Sequence, residues 1–90
     1  MKIYKYTIEA ADSFTVDMPS GAQVLSVGVQ HGQPRLWALV NPKNDLTPHR
    51  FYVRGTGHDA HGMDTELFVG TFQMDGGVLV FHVFEDVTND

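Results

Sequence analysis

Two candidate hairpins carry apolar residues on both of their faces, and this pattern constrains the fold more than any other feature of the chain. The first covers residues 23–40 and reverses at His31-Gly32, and the second covers residues 64–86 and reverses at Asp75-Gly76. A pair ending in glycine between alternating apolar runs is typical of a two-residue hairpin turn. An antiparallel hairpin with one solvated face alternates apolar and polar residues. These two hairpins depart from that rule, so we expect both faces of each hairpin to be buried against other parts of the protein or against another copy.

The first hairpin predicts a definite register. A turn at His31-Gly32 sets Val27 opposite Leu36 and Ser26 opposite Trp37, with Gly28 diagonal to the indole. Small residues beside the ring leave room for it to lie flat on the neighbouring strand. The same register pairs the following residues: Gln30 with Gln33, and Leu25 with Ala38.

The second hairpin predicts a type I′ turn at Asp75-Gly76, the strongest short-range hairpin signal. In that register the core face holds Phe68, Gly70 and Phe72 on one strand, opposite Val83, Phe81 and Leu79 on the other. His82 then lies opposite Val69, and Glu66 lies opposite Glu85.

The rest of the chain also alternates with period two in short runs, and helical periodicity is nearly absent. Residues 2–8 and 13–19 each read as a strand, residues 19–22 as a turn, and residues 41–50, with two prolines, as a surface loop. We predict a single all-β domain over residues 1–90. Its architecture is expected to be a small antiparallel sandwich or partly open barrel of about seven short strands.

A chain of 90 residues can bury only a modest fraction of its surface. Few other elements are left to cover four apolar faces: either the sheets fold into a tight sandwich or barrel with the remaining strands outside, or one face meets another copy. We favour the second, a homo-oligomer. The alternative is that Trp37, Leu39 and Phe84 are single exposed apolar residues, which are common. The expected interface residues are Trp37, Leu39, Val80, His82 and Phe84.

Charge and composition exclude several classes. Six Lys/Arg against eleven Asp/Glu give a net charge of −5, which disfavours general nucleic-acid binding. No cysteine is present, so disulfides and thiolate metal sites are excluded. The first residues contain no long apolar run, so we expect no signal peptide, no membrane span and a cytoplasmic location.

The glycine-rich stretch RGTGHDAHGMD, residues 54–64, is the candidate site. Gly55-Thr56-Gly57 could aim successive N–H groups at one anion, to which Arg54 would add a bidentate fork. Arg54 to His58 are therefore predicted to bind a small anionic ligand, although a plain glycine-rich loop has the same composition.

The same stretch also allows a metal site. His58 and His61 are three residues apart, and Asp59 and Asp64 could complete a zinc-like set. Solvated loop histidines are the simpler interpretation. His82 lies in the middle of a strand, where a histidine is more often structural or interfacial than catalytic. No nucleophile motif or acid–base carboxylate pair is visible, so we name no catalytic residue and no cofactor, and an enzyme is the less favoured class.

Three segments resemble a known family: FYVRGTGH, VGTFQMDGGVLVFHVFE and the stretch over residues 18–42. They are similar to a family of small uncharacterised β-proteins found in phages, prophages and bacteria. The resemblance implies a phage-type accessory protein in the host cytoplasm. Such a protein would capture a host protein or a small anionic ligand such as a signalling nucleotide, or would serve as a virion component; a small metal-dependent hydrolase is the third hypothesis.

Overall fold

Seven antiparallel strands, arranged in two sheets, form the described part of the chain, which covers residues 1–59 and 65–87 of a computed structural model. A single turn of 3-10 helix, Asp75–Gly77, precedes the last strand. The strands are β1 Lys2–Thr7, β2 Ser13–Pro19, β3 Gln23–Gln30, β4 Gln33–Val40, β5 Leu46–Gly55, β6 Glu66–Met74 and β7 Leu79–Asp86.

The two sheets pack as a sandwich and do not close into a barrel. A three-stranded sheet has the order β1-β4-β3, and a four-stranded sheet has the order β2-β5-β7-β6. Edge strands β3 and β6 approach so closely that a side chain on Gly70 would lie 3.0 Å from the Val27 Cγ2 atom. The prediction of a small all-β sandwich is therefore confirmed.

The core lies between the sheets and alternates along each central strand. Leu36, Ala38 and Val40 are fully buried on one side of β4. Phe51 and Val83 face them from β5 and β7. Packing between the sheets takes these apolar side chains out of water. Since successive side chains of a strand point to opposite faces, the residues between them lie on the outer faces.

The β3–β4 hairpin follows the predicted register near its turn. His31 and Gly32 both have positive φ angles, 53° and 75°, as a type I′ turn requires. Ser26 pairs with Trp37, and Val27 pairs with Leu36. The predicted pairing of Leu25 with Ala38 is wrong, because a bulge at Leu25 shifts the register and Ala38 pairs with Val24. Val24 consequently packs against the core, and Leu25 is exposed.

The β6–β7 register differs from the prediction by two residues. The connection is not a two-residue turn, since Met74 pairs with Leu79 across a four-residue loop. Asp75, Gly76 and Gly77 all have positive φ angles, so the second glycine extends the reversal beyond the Asp-Gly pair. Phe72 therefore pairs with Phe81 instead of Leu79. Gly70 pairs with Val83, His82 pairs with Thr71, and Glu66 pairs with Asp86.

A second irregularity changes the face to which Phe68 belongs. The ladder shifts between Phe68 and Gly70, so that Val69 packs against the core and Phe68 pairs with Phe84. Phe68 was predicted to be a core residue, but it is 60% exposed. The bulge thus moves a phenyl ring from the interior to the surface.

The segment predicted as a loop over residues 41–50 is shorter than expected. Strand β5 begins at Leu46 and includes Pro48, which pairs with Asp17 of β2. Strand β7 pairs with β5 only from Phe51 onward. Among residues 1–59 and 65–87, β5 therefore has a paired strand on one side only at Pro48, and a residue without an N–H is tolerated there.

Candidate functional site

The outer face of the four-stranded sheet presents an aromatic cluster around one arginine. The Arg54 guanidinium carbon lies 5.6 Å from the ring centre of Tyr52 and 5.3 Å from that of Phe84. Phe68 packs against Phe84 at 5.5 Å between ring centres. We call the surface formed by Tyr52, Arg54, Phe68 and Phe84 the aromatic face. Arginine between aromatic rings is a favourable cation–π arrangement, and it fixes the side chains that take part.

Glu66 completes the clamp on Arg54. The guanidinium donates from Nη1 to Oε1 and from Nη2 to Oε2 of Glu66, the latter over 3.0 Å. Only 3% of the Glu66 side chain and 16% of the Arg54 side chain are exposed. Two parallel charge-assisted bonds in a largely desolvated setting hold both residues in one geometry.

His82 is held on the same face by two threonines. The Thr56 Oγ1 atom lies 2.8 Å from Nε2, and the Thr71 Oγ1 atom lies 2.9 Å from Nδ1. A neutral imidazole has one donor and one acceptor, so one hydroxyl donates to the ring and the other accepts from it. Both ring nitrogens therefore have partners within the chain, and an interface role for His82 stays a prediction.

The predicted ligand loop folds as a β-turn that uses its own amides. The His58 N–H donates to the Gly55 carbonyl at 3.1 Å, and the Thr56 N–H donates to the Val80 carbonyl at 3.2 Å. The His58 ring lies directly over Gly55, where a side chain would come within 2.9 Å of it. The Thr56 amide, one of the three expected to receive an anion, and the Arg54 fork thus already have partners within the chain.

Two shallow clefts flank this turn. One, of about 270 Å³, is lined by Arg54 and His58 together with Asp12 and Asp59. The other, of about 330 Å³, is lined on one side by Val78–Phe81 and on the other by the turn. Two aspartates beside an arginine that is bound to a glutamate leave no excess of positive charge. The first cleft therefore lacks the positive charge of a small-anion site, and the second is lined by no Lys or Arg. The ligand role of residues 54–58 stays a prediction.

The metal hypothesis falls partly outside the described residues, because His61 and Asp64 lie in the segment 60–64. Within residues 1–59 and 65–87 no group of three His, Cys, Asp or Glu side chains is placed to hold a metal. His58 and Asp59 are described and line the first cleft. A metal role for His58, His61 and Asp59 stays a prediction.

The predicted interface residues lie on two opposite surfaces. Trp37 and Leu39 are on the outer face of the three-stranded sheet, whereas Val80, His82 and Phe84 are on the outer face of the four-stranded sheet. All five are partly exposed. The structure therefore does not bring them together into one patch.

Two residues of the aromatic face, Tyr52 and Phe68, and the partner of Arg54, Glu66, were not named from the sequence as site residues. The Arg54–Glu66 pair joins β5 to β6 across β7, a neighbourhood fixed by the strand order. The signal in the sequence was that Glu66 begins the apolar strand β6 and that Arg54 lies near the end of β5. Burying a charged side chain costs free energy, and a partner of opposite charge normally offsets that cost.

The comparisons with known proteins give a family and nothing further. One family model, described as a domain of unknown function (DUF7352), matches residues 1–90. The chain belongs to this family. Neither a curated protein nor a solved structure shows significant similarity to this DUF7352 member. Among the described residues, no helix has the length and apolarity needed to cross a membrane.

Proposed function

We propose that this chain is a non-catalytic binding protein of the phage-accessory type, which acts in the cytoplasm and holds a partner protein against its aromatic face. The observation that carries the proposal is the clamped Arg54, fixed by Glu66 and lying against the rings of Tyr52 and Phe84. Arginine and aromatic side chains are enriched in protein interfaces and at their energetic hot spots.

Preorganisation supports the same conclusion. Binding costs conformational entropy when interface side chains must be ordered on contact. Arg54 is held by two bonds from its guanidinium, and Tyr52 donates from its hydroxyl to Asp86 at 3.2 Å. The exposed Phe68 ring rests on Phe84. These contacts restrain the side chains of the surface within the chain itself, so a partner that docks on it has less conformational entropy to overcome.

A protein partner fits this surface better than a small anionic ligand. The clefts beside the turn at residues 55–58 are shallow, and the first of them contains Asp12 and Asp59. Small-molecule sites are usually deep and enclose most of the ligand. A sheet face with a projecting phenyl ring and a polar surround has instead the form of a protein interface.

Site-specific photocrosslinking in cells tests the proposal. A photoreactive phenylalanine analogue at position 68 keeps the aromatic character of the face, and the same analogue at Val78, which is 77% exposed in the hairpin loop, is the matched control. We expect a protein adduct from position 68 and none from position 78. Mass spectrometry of the adduct would then separate a host target from a particle protein. No adduct from position 68, or equal adducts from both, would overturn the proposal.

A further inference from the structure

Charge is segregated between the two sheets. The strands of the three-stranded sheet, β1, β3 and β4, contain Lys2, Lys5 and Arg35 and no acidic residue. The rest of the chain holds the other three bases and all eleven acids. Lys5 and Arg35 lie on the side that faces away from the four-stranded sheet, whereas Lys2 pairs with the buried Val40 on the other side. A chain with a net charge of −5 therefore has one outer surface that is positive.

The outer face of the three-stranded sheet has an indole flanked by two cations. Trp37 pairs with Lys5 across β1 and β4, and Arg35 precedes it by two residues on the same side. The indole lies over Gly28, with its Cζ3 atom 3.6 Å from where a side chain on that glycine would begin. We call the surface formed by Lys5, Arg35, Trp37, Leu39 and Ile3 the basic face. Ile3 is 62% exposed beside Leu39, so the face is apolar as well as positive.

The cations of the basic face bond only to neutral groups among the described residues. Lys5 donates to the Gln30 side-chain oxygen at 2.7 Å, and Arg35 donates to the Thr7 hydroxyl. Their charges are not neutralised by any acid on the same sheet. An apolar surface with uncompensated positive charge favours a partner that is apolar and negative.

The aromatic face of a second copy has that character. Phe68, 60% exposed, and the partly exposed Phe84 supply the apolar surface. Asp86 lies beside Tyr52, and Asp12 and Asp59 line the cleft on the other side of Tyr52. Two arginines lie on this side of β5, Arg54, which is bound to Glu66, and the exposed Arg50, and they are outnumbered by the acids on the same side of the strands, Asp17, Glu66 and Asp86. Pairing either face with its own copy would bring like charges together, so only the head-to-tail arrangement matches both charge and apolar surface.

We infer that the basic face of one copy docks on the aromatic face of the next. The inference rests on the proposed function, since it names the partner of the aromatic face as a second copy of this chain. Three strands of six to eight residues present a surface of roughly 26 by 14 Å at the usual strand dimensions. That is smaller than the approximately 800 Å² per partner of a standard interface, so the association is weak, reversible and sensitive to salt.

A mixing experiment on the full chain tests this arrangement. Lys5→Glu alters the basic face only, Phe68→Ser alters the aromatic face only, and each side chain lies outside the buried core. Lys43→Glu, in the exposed loop before β5, makes the same charge change away from both faces and is the matched control. Circular dichroism and thermal melts confirm that each variant folds, and sedimentation velocity measures association.

We expect the unmodified chain to associate at low ionic strength and to become monomeric in about 1 M salt, where the Debye length is about 3 Å. Lys5→Glu and Phe68→Ser should each weaken self-association about tenfold, and Lys43→Glu should not. The decisive result is the mixture of the two defective variants: each contributes its intact face, so they form a heterodimer that grows no further.

Three results would overturn the inference: no heterodimer in the mixture, equal loss from Lys43→Glu, or a monomer at every concentration in low salt. A monomer that still gives a position-68 crosslink to a different protein would leave the proposed function standing and remove only the second copy as partner. A monomer that binds a single-stranded oligonucleotide, and loses it with Lys5→Glu but not with Lys43→Glu, would assign the basic face to an anionic strand.

Discussion

The two outer faces of this sandwich both carry partly exposed aromatic residues, but the charged residues beside them have different partners. Each leaves an aromatic residue on the outside of a thin sandwich, yet the aromatic face pairs its charges internally, Arg54 with Glu66, whereas the basic face leaves Lys5 and Arg35 with neutral partners. Internal pairing adds to the stability of the fold, and uncompensated charge adds to the attraction for something else. The difference teaches that the aromatic face is held in one geometry by its own bonds before a partner arrives, whereas the basic face keeps positive charge available to a partner.

The largest expected effect comes from breaking the clamp. Glu66→Ala leaves the Arg54 guanidinium without its bidentate partner, and charge-assisted bonds of this kind suggest a loss of about 2–3 kcal/mol. Lys5→Ala on the basic face should change stability by about 0.5 kcal/mol or less. Urea denaturation of both variants measures the contrast. Equal losses would mean that the two faces do not differ in this way.

The bonds to His82 offer a neutral version of the same test. Thr71→Val removes the hydroxyl that lies 2.9 Å from Nδ1, and we expect a loss of about 1 kcal/mol. Thr15→Val, at an exposed position on the outer side of β2, is the matched control and should cost little. Thermal denaturation detects the difference, and a similar shift in both variants would show that the histidine bonds add nothing measurable.

The glycine under Trp37 tests how the basic face is built. Gly28 has no positive φ angle, and an added Cβ would make ordinary contact with the indole at 3.6 Å. Gly28→Ala should therefore keep the fold and gain about 0.5 kcal/mol by restricting the unfolded chain. A larger residue, in Gly28→Leu, should displace the indole and shift the fluorescence of the single tryptophan. An alanine variant with a displaced emission maximum would contradict this packing.

The smallest effect concerns Glu85, an acid of the four-stranded sheet that does not belong to the Arg54–Glu66 pair. Burial raises the pKa of the Glu85 carboxyl, and His49 lowers it by a lesser amount. Because the folded pKa lies above the unfolded value, the native state binds more protons between the two, and stability falls as pH rises through that window. Glu85→Gln should give a small gain at pH 7 that disappears below the unfolded pKa. A loss at pH 7 would show that Glu85 is paired as Glu66 is.

The sequence was sufficient for the pairs next to the turn of the first hairpin. His31-Gly32 fixed Ser26 opposite Trp37, because two consecutive positive φ angles allow one register. The second hairpin failed because Gly77, directly after Asp75-Gly76, permits a third positive φ angle and a longer loop. No local rule distinguishes the two outcomes, since glycine accepts either conformation at similar cost.

The candidate site was predicted less completely than the fold. Arg54 and Phe84 were named, but Glu66, Tyr52 and Phe68 depend on the order β2-β5-β7-β6 and on the bulge at Val69. Strand order and bulges arise from packing across the whole sandwich, to which distant residues contribute. Alternation within one strand therefore could not reveal which acid would reach Arg54, or that Phe68 would turn outward.

Two-dimensional ¹H–¹⁵N NMR spectra recorded over a dilution series test most directly whether the basic face of one copy contacts the aromatic face of the next. We expect concentration-dependent shifts for the Trp37 indole N–H and the Lys5 amide on one face and for the Phe68 and Phe84 amides on the other. The amides of Leu36 and Val83, both fully buried, should stay unchanged. Spectra that do not depend on concentration, or that change on only one of the faces, would contradict the head-to-tail contact.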